Sequence, residues 1–258
     1  MKTRSELWLR GWRATSSASA RLVLFPHAGG GASFYRRWAD DLSGMDVRVV
    51  QYPGREDRID DAYCSDLHEL AAHVGRAVAP LADLPLIFFG HSMGATVAYE
   101  VAGHLQCEGV PRVEHLFVSG QPAPTHPRGD SVHLRDDEEL VEELVRLGAT
   151  SRAFLDNPAL RDLVLPAVRE DYRLIETYGP RPGQLLQCPI TACLGDRDHE
   201  TTVDEMRGWA EHTWGEFTLR MFSGDHFYLA SLPPELARVL LDCLGTSPVA
   251  WGPRPPTP

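Results

Sequence analysis

The stretch that decides the fold lies at residues 85–105 and reads PLIFF-GHSMG-ATVAYEVAGHL. Its centre, GHSMG at 90–94, matches the pattern G-x-S-x-G, with an apolar run of strand length before it and a helical pattern after it. A serine on such a sharp strand-to-helix turn needs small neighbours, and Gly90 and Gly94 provide them. The helix that follows would point its first N–H groups at a developing oxyanion. The stretch therefore predicts that Ser92 is a nucleophile at the edge of a sheet.

Strand-length apolar runs alternate with helical patterns on both sides of this stretch. The strand candidates are Arg21–Pro26, Asp46–Tyr52, Pro85–Phe89, His115–Ser119, Pro189–Leu194 and Phe217–Phe222. The helix candidates are Leu67–Leu81, Ala95–Leu105, Val203–His212 and Pro234–Leu244. This alternation predicts an α/β fold, with a mostly parallel central sheet and helices on both faces. A chain of 258 residues is within reach of one such domain, so we expect a single domain over residues 1–258.

Residues 121–187 interrupt the alternation, because they contain helical patterns and no convincing strand. Asp136 followed by Glu139 is a capping signal for a helix that ends near Leu147. A helical insertion between two strands predicts a lid over the carboxyl edge of the sheet, although an extra packing layer that never moves would give the same pattern. The last residues, 246–258, carry five prolines and predict a flexible tail.

Composition excludes several classes of protein. The chain has 25 Lys and Arg against 36 Asp and Glu, a net charge of −11, so it lacks the basic surface of a nucleic-acid-binding protein. The five cysteines form no C-x-x-C pair, and their odd number argues against a disulfide framework. No apolar run is long enough for a signal peptide or a membrane span. We therefore expect a soluble, cytoplasmic protein with no metal site and no membrane or nucleic-acid partner.

A serine nucleophile needs a base, and the base needs an acid that orients it. In sheets of this type the acid and then the histidine follow the serine along the chain. Of the late histidines, His226 comes directly after a strand candidate, whereas His199 adjoins the acid candidates and His212 lies in a helical run. We therefore favour His226 as the base. Asp196 and Asp198 both follow the preceding strand candidate, and the pattern alone leaves the choice of acid open.

The oxyanion hole needs two backbone donors. One should be the N–H of Met93, directly after the nucleophile. The other should come from the loop after the first strand candidate, which reads FPHAGGG at 25–31. Its glycines would let the backbone approach a reacting carbonyl closely. A glycine run can also bind phosphate, but the lysine of a Walker motif is missing.

Five segments together resemble the type II thioesterases, the stand-alone editing hydrolases that accompany modular polyketide and non-ribosomal peptide synthetases. The segments are FPHAGG at 25–30, YPGRE at 52–56, GHSMGA at 90–95, GDRD at 195–198 and GDHFYL at 224–229. The resemblance covers about residues 22–244 and implies an α/β-hydrolase fold with a helical lid. It implies a catalytic triad of Ser92, Asp198 and His226, which decides the choice of acid.

The same resemblance implies that the backbone N–H groups of Met93 and Ala28 form the oxyanion hole, with Gly29 as the neighbouring alternative to Ala28. It gives no function to Gly31. Separately, helical spacing in residues 121–187 places apolar residues on faces of the lid, and we expect these faces to cover an acyl chain. These lid residues are Leu140, Leu144, Val168, Tyr172 and Ile175.

The function that the resemblance implies is hydrolysis of aberrant or stalled acyl groups from the phosphopantetheine arm of carrier proteins. The partners would be acyl or peptidyl carrier domains of a megasynthase in antibiotic biosynthesis, and the enzyme would need no cofactor of its own. The alternatives are a carboxylesterase, a medium-chain acyl-carrier or acyl-CoA hydrolase of lipid metabolism, an excised cyclising domain, and a non-catalytic binding module. Carriers are usually acidic, so docking would need a local basic patch, for which the candidates are Arg36, Arg37, Arg55 and Arg58.

Overall fold

The centre of the molecule is one seven-stranded sheet. The strands are β1 (Leu9–Arg10), β2 (Ala20–Phe25), β3 (Met45–Val50), β4 (Leu86–His91), β5 (Val113–Ser119), β6 (Ile190–Gly195) and β7 (Phe217–Phe222). Their spatial order is β1-β3-β2-β4-β5-β6-β7, and every neighbouring pair is parallel except β1 with β3. These data come from a computed structural model that describes residues 4–12, 18–110, 113–126, 129, 131–148 and 150–243.

Helices cover both faces of the sheet, and further helices form the insertion at residues 121–187. They are α1 (Arg4–Trp8), α2 (Trp38–Asp41), α3 (Leu67–Val78), α4 (Met93–Cys107), α5 (Asp137–Arg146), α6 (Arg152–Leu155), α7 (Pro158–Glu176), α8 (Val203–Arg207) and α9 (Pro234–Asp242). Helices α1, α3, α4 and α8 share one apolar core with the sheet, and α2 and α9 share a second core on the other face. Because both faces are covered, all six residues of β4 are buried. The predicted α/β-hydrolase architecture is confirmed.

The strand predictions agree with the structure to within two residues at each end. Two differences concern short elements. The edge strand β1 was not predicted, because a two-residue strand that pairs only through Leu9 and Arg10 has no recognisable period. The predicted helix Val203–His212 is α8 followed by a 3₁₀ turn over Gly208–His212.

Residues 121–187 contain the three helices α5, α6 and α7. Helix α5 begins with the predicted capping box, in which the Asp136 carboxylate accepts the N–H of Glu139 and the Glu139 side chain accepts the N–H of Asp136. The three helices enclose a small apolar core of their own. The predicted tail, 246–258, lies outside the described residues. Within the described ranges, no helix is both long and apolar enough to cross a membrane.

The order of the strands places the site. The chain passes from β2 outward to β3 and then returns to the other side of β2 with β4. The carboxyl ends of β2 and β4 therefore flank the point where the direction of winding reverses, which is where open α/β sheets bind their ligands. The loop after β2 and the turn after β4 are the two segments from which the sequence predicts the nucleophile and the oxyanion donors.

Candidate active site

Ser92 occupies a strained turn between β4 and α4. Its backbone has φ 51° and ψ −129°, an unfavourable conformation for a residue with a side chain. The flanking glycines make this turn possible. A Cβ on Gly90 would lie 2.2 Å from the carbonyl oxygen of Gly94, and a Cβ on Gly94 would lie 2.1 Å from that of Phe25. The segment thus has the nucleophile-elbow geometry that the sequence predicts.

His226 and Asp198 form a buried pair. The Nδ1 atom of His226 lies 2.9 Å from Oδ2 of Asp198, and the two side chains are 7% and 0% exposed. Since a carboxylate can only accept, Nδ1 is the donor in this contact, and the neutral form of the ring that makes it has an acceptor at Nε2. Asp196, the other acid candidate, instead accepts the N–H of Gly224 at 2.9 Å. The geometry therefore joins Asp198, and not Asp196, to His226.

The other two histidine candidates lie elsewhere. His199 is exposed at the surface. His212 is buried in the core, where its Nδ1 lies 3.2 Å from the Tyr99 hydroxyl and its ring contacts Trp209 edge-on. His212 is therefore accounted for by packing.

One cavity of about 110 Å³ brings the candidate catalytic groups together. Ser92, Met93, Ala28 and His226 all line it. The backbone N–H of Gly29 is already used, because it donates to Oδ2 of Asp171 at 2.7 Å. Of the two neighbouring donors considered from the sequence, this leaves the N–H of Ala28 for an oxyanion.

Packing explains why position 31 is a glycine, which the sequence did not reveal. A Cβ at this position would lie 2.2 Å from Oε1 of Glu56. That oxygen is held in place, because it accepts both the N–H and the hydroxyl of Ser33, at 3.0 and 2.6 Å. Gly31 therefore makes room for the Glu56 carboxylate between the two loops.

Two further histidines lie behind His226, and sequence reasoning gave them no role. The ring of His91 lies 4.7 Å from that of His226, and the ring of His27 lies 5.9 Å from that of His91. Burial, with a contribution from His226, lowers the pKa of His27 to about 3 and that of His91 well below its usual value. Both rings are therefore neutral at physiological pH. Their positions inside the FPHAGG and GHSMGA segments were the available signal.

The five predicted lid residues divide into two groups. Tyr172 and Ile175 line the cavity. Leu140, Leu144 and Val168 do not line it, because they pack against one another in the lid's own apolar core. The expectation that these three contact an acyl chain is therefore corrected. An amphipathic helix shows which of its faces is apolar, but here that face is covered by the neighbouring lid helix.

Polar residues line the cavity as well, and these were not predicted. They include the carboxylates of Glu143, Glu176 and Glu200. Glu143 and Glu200 both pair with Arg146, with N–O distances of 2.6 Å, so an ion-pair bridge joins α5 to the loop after β6.

The four arginines considered for carrier docking also fall into two groups. Arg36 and Arg37 are exposed, whereas Arg55 and Arg58 are buried and donate to groups within the protein. Arg55 and Arg58 are therefore unavailable to a partner. Among the described residues, no cluster of three or more His, Cys, Asp or Glu side chains is arranged to hold a metal ion.

Comparisons with known proteins show what the whole chain is similar to. The family model described as "Thioesterase domain" matches residues 20–243. The chain is 42% identical to the thioesterase PikA5 of Streptomyces venezuelae over 242 residues, which is 93% of this chain and 86% of that protein. It is similar to the solved structure of the type II thioesterase BorB from the borrelidin biosynthetic cluster, with a TM-score of 0.86, 42% identity and coverage of 94% and 100%.

A more distant structure gives the same result. YbtT, a type II thioesterase from the yersiniabactin NRPS/PKS biosynthetic pathway, superposes with a TM-score of 0.84 at 27% identity. The match covers 92% of this chain and 98% of YbtT. The similarity therefore extends through the lid as well as the sheet.

Proposed function

The chain belongs to the thioesterase family, and from this premise we propose that it is an editing serine thioesterase that works beside a polyketide or non-ribosomal peptide synthetase. It hydrolyses aberrant or stalled acyl groups from the phosphopantetheine arm of carrier protein domains. The observation that carries this proposal is a strained Ser92 and a His226–Asp198 pair at one cavity, in a chain similar to type II thioesterases over most of its length.

The first half of the reaction transfers the acyl group to the enzyme. Nε2 of His226 takes the proton of the Ser92 hydroxyl as Oγ attacks the thioester carbonyl. The N–H groups of Met93 and Ala28 donate to the oxyanion of the tetrahedral intermediate. The carbon–sulfur bond then breaks, His226 returns its proton to the sulfur, and the carrier leaves with a free thiol. The acyl group remains as an ester on Ser92.

The second half releases the acid and restores the enzyme. His226 takes a proton from a water molecule, whose oxygen attacks the acyl-serine ester. The same two N–H groups hold the second oxyanion. When the ester bond breaks, His226 returns the proton to Oγ of Ser92. Asp198 accepts from Nδ1 in both halves and stabilises the imidazolium each time it forms. These steps use no cofactor.

The triad alone does not select thioesters over oxygen esters. A thiol has a pKa of about 8.5, so a thiolate leaves with less protonation than an alkoxide needs. The choice of a carrier-bound thioester is supported by the relatives and not by the chemistry of the three residues. The long phosphopantetheine arm must reach Ser92 through the mouth of the cavity, and exposed Arg36 and Arg37 are candidates for contact with the carrier.

A comparison of substrates tests this function. We expect kcat/KM for acetyl- and propionyl-carrier protein to exceed that for the same acyl-CoA by at least about tenfold, because a docked carrier adds binding energy that CoA does not provide. The p-nitrophenyl esters of the same acids are the reference for intrinsic esterase activity. A preference for acyl-CoA of medium chain length, or for oxygen esters alone, would favour the hydrolase of lipid metabolism or the carboxylesterase.

The lining of the cavity gives a prediction about acyl selection. Ile175→Ala should widen the cavity and raise the ratio of kcat/KM for hexanoyl over acetyl substrates by about tenfold, the scale of one to two methylene contacts. Leu144→Ala is the matched control, because Leu144 is a buried lid residue that does not line the cavity. It should lower the melting temperature and leave the ratio within about twofold. An equal change in both variants would mean that the lid as a whole, and not the cavity wall, selects the chain.

A further inference from the structure

A buried ion pair joins the lid to the loop after β3, beside the loop that carries the predicted oxyanion donor. Nη1 and Nη2 of Arg55 donate to Oδ2 and Oδ1 of Asp171, at 2.5 and 2.8 Å. The two side chains are only 8% and 2% exposed. Asp171 lies on lid helix α7, and Arg55 lies in the YPGRE segment after β3. Neither residue belongs to the triad or lines the cavity.

The pair also holds the loop after β2. Oδ2 of Asp171 accepts the backbone N–H of Gly29 at 2.7 Å, and Nη1 of Arg55 donates to the carbonyl oxygen of Gly30 at 3.2 Å. Arg55 is itself fixed, because its Nε donates to the carbonyl oxygen of Pro53 at 3.2 Å. Three segments that are remote in sequence thus meet at one carboxylate and one guanidinium.

Helix α7 contacts the same loop through an apolar side chain. Gly29 has φ +75°, and a Cβ on it would lie 2.6 Å from Cγ2 of Val168. Val168 is one turn before Asp171 on α7, so the two side chains reach the loop together. The loop that carries Ala28, a residue lining the cavity, is therefore held by the lid through both Val168 and Asp171.

We propose that Asp171, held by Arg55, is a positioning residue for the oxyanion hole. By engaging the N–H of Gly29, it fixes the orientation of the adjoining peptide and keeps the N–H of Ala28 directed at the reacting carbonyl. The hole is then complete only while α7 is docked on the loop, which couples the lid to catalysis. This inference rests on the proposed function, since it concerns the same oxyanion.

An ion pair that served only to stabilise the fold would not explain why Asp171 also accepts the N–H of Gly29. Replacing a buried ion pair by apolar residues is often neutral or even stabilising, so stability alone gives little reason for the pair. An apolar replacement cannot accept the N–H of Gly29, however. A charged acceptor also makes a stronger bond to a backbone N–H than a neutral one does. The role that only this pair can fill is therefore the orientation of the loop.

The chain offers a matched control. Arg21 and Asp46 form another buried ion pair, with Nε and Oδ2 2.7 Å apart and side chains 10% and 5% exposed. They lie near the start of β2 and β3, at the opposite end of these strands from the loop. Asp46→Asn therefore removes the charge of a buried carboxylate that pairs with Arg21 and Arg48, without touching the oxyanion loop.

The test compares Asp171→Asn and the double variant Arg55→Met/Asp171→Leu with Asp46→Asn. Loss of an oxyanion donor costs about 10²- to 10³-fold in kcat, so a misplaced donor should cost the double variant about 10- to 100-fold, with KM changed less than about threefold. Asp171→Asn keeps an acceptor oxygen for Gly29 and should lose less. Asp46→Asn should keep kcat within about threefold at a similar or lower melting temperature.

A second readout separates positioning from folding. Oγ of Ser92 adds to the carbonyl carbon of a trifluoromethyl ketone analogue of acetyl-pantetheine. Nε2 of His226 takes the hydroxyl proton, and the carbonyl oxygen becomes an oxyanion in the hole. The affinity for this ketone should fall in the double variant by the same factor as kcat/KM, whereas a non-hydrolysable thioether analogue should bind unchanged. Unchanged kcat in the folded double variant, an equal kcat loss in Asp46→Asn, or failure of both Asp171 variants to fold would overturn the proposal.

Measuring the variants on two substrates separates the role of Asp171 from the proposed function. The measurements are made with p-nitrophenyl acetate and with acetyl-carrier protein, because both reactions need the same oxyanion hole. A wild-type enzyme that cleaves the ester and ignores the carrier would contradict the proposed function. The variants would still test the role of Asp171, through hydrolysis of p-nitrophenyl acetate and binding of the trifluoromethyl ketone.

Discussion

Replacing Ser92 with alanine should lower kcat by about 10⁶-fold, the loss seen when the nucleophile of a serine hydrolase is removed. The fold should survive, since the Ser92 side chain makes no capping hydrogen bond to α4 and the turn depends on Gly90 and Gly94. The melting temperature should therefore stay within a few degrees of the wild-type value. Turnover of acetyl-carrier protein and circular dichroism on the same samples check both statements.

Covalent labelling identifies the nucleophile independently of turnover. A fluorophosphonate should label the wild-type chain at Ser92, and peptide mass spectrometry should find no label in Ser92→Ala. Ser231→Ala is the control, because Ser231 is an exposed serine that is not part of the site. It should keep both activity and labelling. Labelling that persists in Ser92→Ala would assign the nucleophile to another residue.

Asp198→Asn should lower kcat by about 10⁴-fold, the cost of the equivalent change in the best-studied serine protease triad. An amide at this position can donate to Nδ1 of His226, which favours the tautomer that has no free acceptor at Nε2. Asp196→Asn is the matched control, since Asp196 accepts the N–H of Gly224 and pairs with Arg197 at 3.2 Å, and neither contact involves His226. Its kcat should fall by less than about tenfold.

Kinetics of the two aspartate variants on one substrate show which aspartate is the catalytic acid. The pH dependence of kcat/KM should keep its shape in Asp196→Asn and change in Asp198→Asn, because only the latter alters the base. Comparable losses in both variants would mean that the 2.9 Å contact to His226 is not the catalytic one.

The sequence predicted the part of the site that local geometry determines. The GHSMG segment carries its own context of strand, glycines and helix, so the turn at Ser92 follows from a few neighbouring residues. The identity of the catalytic acid, by contrast, could not be predicted from local geometry. Asp196 and Asp198 follow the same strand, and the turn that points Asp198 at His226 depends on packing against the loop after β7. Pattern alone therefore left both open, and the choice came from the family resemblance.

Contacts between remote segments could not be predicted from patterns. Arg55 was expected at the surface because arginine usually is. It is buried because Asp171, 116 positions later, supplies the compensating charge. Likewise, the period of α5 correctly identified an apolar face at Leu140 and Leu144, but not that other lid residues cover it. Both outcomes depend on which helix packs where, and no local signal encodes that.

The central claim is that this enzyme removes acyl groups from carrier proteins by way of Ser92, and intact-protein mass spectrometry tests it most directly. Acetyl-carrier protein is incubated with the wild-type enzyme or with Ser92→Ala, and the mass of the carrier is followed. We predict that the wild-type enzyme lowers the carrier mass by one acetyl group, leaving the free phosphopantetheine thiol, while Ser92→Ala leaves the carrier loaded. A carrier that stays acetylated with the wild-type enzyme, or is deacylated equally by Ser92→Ala, would contradict the claim.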